Sequence, residues 1–397
     1  MTVNSASKNK SLFSQPSSAY YLILGSVSIL TALGLVMVLS ASSVTSLNES
    51  GNSFAVVLRQ GIFLALAIPL AWLSMHLKES LWIPIARTSL VVSAGLLILP
   101  QIPGIGKTIG GNTNWIGIGS FTLQPSEFAK VGMIIWCAMR LRIHDQRASE
   151  GKFSSPISLI APGVASLLFL VLLGKDLGTA VVFAAIVAGI LFISGLPIRT
   201  FALFGALLGI PFLILILNSS NRLNRFAAFF DPFSVENYKG VGWQQAHSIM
   251  GLASGGALGT GLGSSKQKWG NLPEAHTDFI FSVIGEELGL LGTLAVLILF
   301  AILILGIFRV ALRASNSFER YACAGIGCWF AIQVLLNIGT VISVLPVVGV
   351  TLPFISYGGS SLVASFISIG FVLGVLRRDP VIAAEIAERK RSRSERG

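Results

Sequence analysis

The sequence predicts an all-α, polytopic integral membrane protein with about ten transmembrane helices. Hydrophobic residues make up 53% of the 397-residue chain and charged residues only 11%, whereas a soluble domain has about 25% charged residues. Apolar runs of about 20 residues recur along the whole length, and each can cross a hydrocarbon core of about 30 Å. Most of the 28 Lys and Arg residues lie in alternate loops between these runs. These three observations together predict a helical bundle in a lipid bilayer.

The apolar runs form one transmembrane domain, which we place at 19–376 between a polar tail (1–18) and a basic tail (377–397). The first run is too long for the apolar part of a signal peptide, so we expect a retained span. The predicted spans lie near 19–43, 54–75, 81–101, 124–142, 155–174, 176–195, 197–217, 277–308, 319–345 and 355–376.

The alternation of basic loops predicts the orientation of the chain, because cytoplasmic loops carry an excess of Lys and Arg. Both termini are expected in the cytoplasm, and two large loops, about 102–123 and about 218–276, are expected outside. The basic tail is interpreted as a cytoplasmic anchor, with sensing of anionic lipid as the alternative. No nucleic-acid partner is expected.

Neither glycine-rich stretch fits a nucleotide-binding motif, so we expect no nucleotide hydrolysis. GIGKTIGG (104–111) has Gln101 where a P-loop requires glycine, and GTGLGSS (259–265) lacks the dinucleotide pattern. Energy for any reaction must therefore come from the substrate or from an ion gradient.

The stretch LPEAHTDFIFSVIGEELG (272–289) gathers acids where the eighth span begins. Ionisable residues in a membrane domain are costly and are functional candidates by default. Asp278 is expected in the first helical turn, where it could act chemically or cap the helix together with Thr277. Glu286 and Glu287, deeper in the span, are interpreted as structural ion-pair partners.

Three further clusters lie at predicted outer ends of spans. In QPSEFAK (124–130), Glu127 and Lys130 share a helix face, either as a structural salt bridge or as substrate-binding groups. GKDLGTA (174–180) opens the sixth span, and the Gly358-Gly359 pair in LPFISYGGSS (352–361) permits close backbone approach or positive φ. The long outer loop supplies candidate phosphate-binding cations: Arg222, Arg225, Lys266 and Lys268.

These groups together predict a cavity open to the outer leaflet, with a carboxylate, a Lys–Glu pair and several cations. Such a cavity suits a lipid-linked anionic substrate that is activated by its own diphosphate.

The same motifs, together with NIGTVISVLPVVGVTLPFISYGGSSL (337–362), resemble the SEDS family of bacterial cell-wall proteins (FtsW, RodA and SpoVE) over nearly the whole chain. The resemblance implies a peptidoglycan glycosyltransferase that polymerises lipid II, a disaccharide-pentapeptide on undecaprenyl diphosphate. It implies Asp278 as the essential acid, with Glu127, Lys130 and Trp115 functionally important and His276 beside the acid. Three positions depart from the family pattern: Asn114, Lys175 and Ser343.

Within the family, SSKQKWGNLPEAHTDFIF and TLPFISYGGSS resemble the cell-division branch (FtsW), whereas LPVVGV is closer to the elongation branch (RodA). The division branch implies a place in the cytoplasmic (inner) membrane at the septum, with other divisome proteins. The family implies a class B penicillin-binding transpeptidase as partner. Its single helix is expected to dock on 291–308 and on the small residues Gly325 and Gly327.

The reaction needs a base, for which we assign Asp278, and positive charge for the leaving diphosphate. The candidates for this charge are Lys130, which the resemblance supports, and Arg222, Arg225, Lys266 and Lys268. Mg²⁺ or Mn²⁺ near Asp278 is possible chemically, but no spacing demonstrates a metal site. The alternatives are a lipid II flippase, an elongation-type polymerase, or a scaffold for the transpeptidase. The gathering of charges at the outer ends favours chemistry there over transport through the bilayer.

Overall fold

The computed structural model describes residues 17–382, apart from 110, 119–120 and most of 203–228, together with 384 and 385. The described residues are mostly helical, and seven of their helices are long and apolar enough to cross a membrane. The chain is a multi-pass membrane protein, as its composition predicts. The count of ten spans stays a prediction, since the seventh, 197–217, lies largely outside the described residues.

The elements described in the first half of the chain include six α-helices and a small sheet. Proline at the first position starts α4 and α5, where the missing amide proton costs no hydrogen bond. The sheet in the first outer loop is three-stranded and antiparallel, in the order β1-β2-β3, and the apolar periodicity did not predict it. The elements are α1 (Ser18–Ser50), α2 (Ala55–His76), α3 (Glu79–Ile98), β1 (Gly106–Ile109), β2 (Asn112–Ile118), β3 (Phe121–Leu123), α4 (Pro125–Ser149), α5 (Pro156–Leu173) and α6 (Leu177–Ile193).

The elements described in the second half of the chain include two short helices in the long outer loop and three long helices. These are α7 (Val235–Tyr238), α8 (Trp243–Ser254), α9 (Ile280–Arg313), α10 (Ser317–Val341) and α11 (Gly359–Arg378). The segment 342–358, between α10 and α11, is irregular. We call it the α10–α11 segment.

Helices α4, α10 and α11 form the centre of the bundle. Helices α10 and α11 are largely buried, and α4 is largely buried between Pro125 and Leu141. Helix α2 packs along α11, but it exposes Leu58, Leu66 and Trp72 on its other face. Exposed apolar side chains of this kind are expected where a helix meets lipid.

Two glycines allow close backbone approach near the predicted outer end. Gly289 interrupts α9 with φ 69° and ψ −165°, and a Cβ there would lie 2.3 Å from the Gly259 amide. Leu290 and Leu291 donate backbone hydrogen bonds to the 256–257 carbonyls, so the outer loop pairs with the interrupted helix. An ideal Cβ on Gly359 would lie 2.3 Å from the Phe63 ring. The backbone of Gly358 is extended, with φ 176°. The pair thus serves close packing and not positive φ.

The small-residue face of α10 packs inside the chain, so the expectation that it receives a partner helix is wrong. A Cβ at Gly325 would lie 2.7 Å from Ile134 of α4, and one at Gly327 would lie 3.1 Å from Phe308 of α9. Helices inside the bundle occupy this face because small residues let their backbones approach closely.

Ion pairs gather at the end of the bundle that is predicted to be cytoplasmic. Arg320 lies 2.8 Å from Asp145, and Arg378 lies 2.7 Å from Glu319. At the predicted outer ends of the fourth and tenth spans, the Gln124 amide donates to the Ser360 hydroxyl at 2.9 Å. The placement of the loops on the two sides of the membrane stays a prediction.

Candidate active site at the predicted outer end

Asp278 lies in a series of turns before α9, and not in the first helical turn as predicted. The Glu274 carbonyl accepts hydrogen bonds from the amides of Thr277 (3.1 Å) and Phe279 (3.2 Å), which holds these residues in the turns. Helix α9 begins at Ile280 without a side-chain cap, and the Thr277 hydroxyl donates to the Glu274 carboxylate at 2.7 Å. The expectation that Thr277 or Asp278 caps this helix is therefore wrong.

The backbone at Asp278 is bonded to residues that come much later in the chain. The carbonyls of 276, 277 and 278 accept hydrogen bonds, in that order, from the Tyr357 amide (2.9 Å), the Ser356 hydroxyl (2.6 Å) and the Asn337 side-chain amide (2.8 Å). An ideal Cβ on Gly349 would lie 3.6 Å from Asp278 Oδ2, so the carboxylate faces the α10–α11 segment. Hydrogen bonds to three consecutive carbonyls thus fix the backbone at Asp278 relative to α10 and the α10–α11 segment.

The electrostatics at Asp278 suit a group that exchanges a proton near neutral pH. Burial, and secondly the nearby charge of Glu274, raises the pKa of Asp278 from 3.8 to about 7. Burial also lowers the pKa of His276, against the opposing charges of Glu274 and Glu49. Because an effective general base has a pKa near the working pH, Asp278 is suited to this task.

Glu127 and Lys130 form the ion pair that their spacing predicted, at 2.9 Å. Lys130 is only 2% exposed, and its Nζ also donates to Gln333 Oε1 (3.1 Å) and lies 4.8 Å from the Trp329 ring centre. The charge of Lys130 is therefore stabilised by groups of the protein itself. A direct contact with a substrate diphosphate would require the side chain to leave this pair.

Lys268 and the two deeper glutamates anchor the long outer loop. Lys268 is buried, donates to the Gly263 carbonyl and lies 3.8 Å from Glu287 Oε1. Glu286 accepts from the Lys266 amide at 2.9 Å and from the Ser265 hydroxyl. The expected ion pair is confirmed for Glu287, whereas Glu286 binds mainly backbone amides. This placement does not support Lys268 as a diphosphate ligand.

In the first outer loop, Trp115 lies on β2 opposite Lys107 of β1 and is half-buried. The neighbouring Asn114 donates to Asp176 Oδ2, while Asp176 Oδ1 caps α6 by accepting from the Thr179 amide at 2.9 Å. Two regions with departures from the family pattern therefore contact each other, and Asp176 has a structural role.

Two predicted ligands, Arg222 and Arg225, lie outside the described residues, so their roles stay predictions. Within the described part of the chain, no group of three or more His, Cys, Asp or Glu side chains could hold a metal ion.

Comparison with known proteins matches residues 20–379 to the cell cycle protein family FtsW/RodA/SpoVE. A relative from Coxiella burnetii, named "Probable peptidoglycan glycosyltransferase FtsW", is 39% identical over 87% of this chain and 93% of its own length. Stage V sporulation protein E of Bacillus subtilis is 36% identical over 88% and 94%.

The chain belongs to the FtsW/RodA/SpoVE family.

Solved structures have the same fold as this FtsW/RodA/SpoVE family member. RodA of Thermus thermophilus aligns with a TM-score of 0.64 at 27% identity, covering 90% of this chain and 96% of RodA. A chain from a study of how a peptidoglycan synthase complex coordinates polymerization and crosslinking aligns with a TM-score of 0.72 at 28% identity, covering 89% and 96%. Further relatives at 37–39% identity also carry the name FtsW, in agreement with the division-type motifs.

Sequence reasoning missed two buried amides of this family member, Gln333 and Asn337, which link the site to α10. Both lie one helical turn apart within an apolar run. Polar residues at that spacing inside a span are the signal that could have identified them.

Proposed function

We propose that this chain is a peptidoglycan glycosyltransferase that polymerises lipid II at the outer face of the bacterial cytoplasmic membrane during septal wall synthesis. The observation that carries the proposal is the half-buried Asp278 carboxylate, with a pKa raised to about 7, at the predicted outer end of the bundle. The names of the curated relatives support the reaction class.

In the proposed reaction, Asp278 accepts the proton of an acceptor hydroxyl as the hydroxyl oxygen bonds to the anomeric carbon of a second lipid II. The bond between that carbon and the diphosphate oxygen breaks, and undecaprenyl diphosphate leaves with the electron pair. Cations stabilise the charge that develops on this diphosphate. Arg222, Arg225 and the exposed Lys266 are the candidates for that role. The buried Glu127–Lys130 ion pair supports the site from inside the bundle.

The proposal includes a transpeptidase partner, because glycan strands need crosslinking after polymerisation. The structural relationship to a chain from a peptidoglycan synthase complex supports such a partner. We expect a single-span class B penicillin-binding protein, with other divisome proteins around it. The outward face of α9, where Leu291, Leu294 and Ile298 are exposed, is the part of the predicted docking surface that packing inside the chain leaves available.

The test is polymerisation of labelled lipid II by the purified protein, with and without the transpeptidase, scored as a glycan ladder on a gel. Asp278→Asn keeps the shape of the side chain but removes the base, and we expect no polymer from it. Asp231→Asn, the same change at an exposed outer-loop carboxylate, is the matched control and should polymerise normally. Normal polymer from Asp278→Asn would refute the base. Translocation of lipid II by wild-type protein without any polymer would favour the flippase.

A further inference from the structure

Two buried amides on α10 face the α10–α11 segment. Gln333 and Asn337 are separated by four residues, so their side chains lie on one face of the helix. Gln333 is fully buried and Asn337 is 2% exposed. A buried amide requires hydrogen-bond partners, and the partners of these two connect three separate parts of the protein.

Asn337 joins the backbone of Asp278 to the α10–α11 segment. Its Nδ2 donates to the Asp278 carbonyl at 2.8 Å and to the Val350 carbonyl at 2.7 Å. Because both partners are carbonyl oxygens, which only accept, the NH₂ group must face them. One side chain thus uses both of its protons to hold two chain segments together.

Gln333 continues the connection to the buried ion pair of α4. Its Oε1 accepts from Lys130 Nζ and from Trp329 Nε1, and its Nε2 donates to the Thr351 carbonyl at 2.9 Å. The orientation of this amide is also determined, since Lys130 and Trp329 can only donate and the carbonyl can only accept. The adjacent residues Val350 and Thr351 are therefore held by neighbouring amides.

We propose that Gln333 and Asn337 form an amide clamp that positions Asp278 and the 349–352 backbone for glycosyl transfer, and that Lys130 acts on the site through this clamp. The inference rests on the proposed function and deepens it, because it assigns a role to residues that do not touch the reacting atoms. The described hydrogen bonds of these amides do not include the Asp278 carboxylate; Asn337 reaches Asp278 through its backbone carbonyl. Both are therefore positioning residues.

The clamp is expected to act on turnover more than on substrate binding. Misplacement of a catalytic group by about 1 Å can cost about 100-fold in rate. Loosening the clamp should consequently lower kcat, while contacts to the lipid tail and the peptide, made elsewhere, leave KM nearly unchanged.

Isosteric acids separate the donor function from side-chain shape. Asn337→Asp keeps the shape but loses both donors, and Gln333→Glu keeps the acceptor for Lys130 and Trp329 but loses the donor to Thr351. Asn337→Leu removes the donors without placing an oxygen against the two carbonyls. The control is Gln245→Glu on α8: this amide is buried, and the described contacts give its nitrogen no acceptor.

Two measurements are made on each purified full-length variant. The first is kcat and KM for labelled lipid II, and we expect both Asn337 variants to lose about 10-fold or more in kcat with KM within about threefold. Gln333→Glu should lose less, because it removes only the bonds to Thr351 and leaves the Asn337 bond to the Asp278 carbonyl in place. The second is hydrogen–deuterium exchange by mass spectrometry. The Leu352 amide, which donates to Ser356, and the Tyr357 amide should exchange faster in the variants than in the control.

The clamp would be overturned if the Asn337 variants polymerise lipid II within about twofold of the Gln245→Glu control and the Leu352 and Tyr357 amides exchange at unchanged rates. If neither Asn337 variant is recovered folded, Gln333→Glu decides: wild-type kcat and exchange in that variant would likewise overturn it. Failure of the proposed function is distinguishable. Normal activity of Asp278→Asn would refute Asp278 as the base. Faster exchange in the Gln333 and Asn337 variants would still show that these amides hold the α10–α11 segment.

Discussion

Replacement of Asp278 by Asn should stabilise the folded protein at alkaline pH while it abolishes polymerisation. The pKa of Asp278 rises from 3.8 to about 7 on folding, so the folded state binds this proton more tightly than the unfolded state. The free energy of unfolding therefore falls as pH rises between these two values, and the loss is complete above about pH 7. Asn cannot ionise, so the variant avoids this loss.

The size of the effect follows from the same pKa values. One pKa unit corresponds to about 1.4 kcal/mol, so the rise from 3.8 to about 7 corresponds to about 4 kcal/mol. Solvent reaches the half-buried carboxylate and screens part of its charge, which makes this value an upper bound. We expect a gain of about 1–4 kcal/mol for the variant at alkaline pH and almost none at acid pH.

The assay is thermal unfolding of wild type, Asp278→Asn and Asp231→Asn in detergent, at about pH 4 and about pH 8. The melting temperature of Asp278→Asn should exceed that of wild type by several degrees only at the higher pH. Asp231→Asn should follow wild type at both, because its carboxylate is exposed. An equal difference between Asp278→Asn and wild type at the two pH values would refute the raised pKa.

Three other predictions concern pH, topology and packing. Wild-type polymerisation should rise with pH through about 7 as Asp278 loses its proton, and Glu274→Gln should move this rise to lower pH by removing a nearby negative charge; a rate profile that does not move contradicts the coupling. A cysteine at the exposed Leu262 should react with an impermeant maleimide in intact spheroplasts, and labelling only after lysis would invert the orientation. Gly359→Leu should reduce the folded yield, because an ideal Cβ already lies 2.3 Å from Phe63; a variant as heat-stable as wild type would contradict this contact.

The apolar runs and the basic loops by themselves determined much of the fold. A run of about 20 apolar residues is a local property that the thickness of the bilayer selects. The sharp turn at Gly174-Lys175-Asp176 between α5 and α6 and the Glu127–Lys130 pair were also predictable, because both depend on residues close in sequence.

The surroundings of Asp278 were decided only by the tertiary structure. Its carbonyl is bonded to Asn337, 59 residues away, and the preceding carbonyl to Ser356, 79 residues away. Lys130 is a candidate phosphate ligand by sequence, but its Nζ donates to Gln333 Oε1, a residue 203 positions away. Contacts of this kind leave no periodicity in the sequence, because they form only when helices pack and their buried polar groups must find partners away from water.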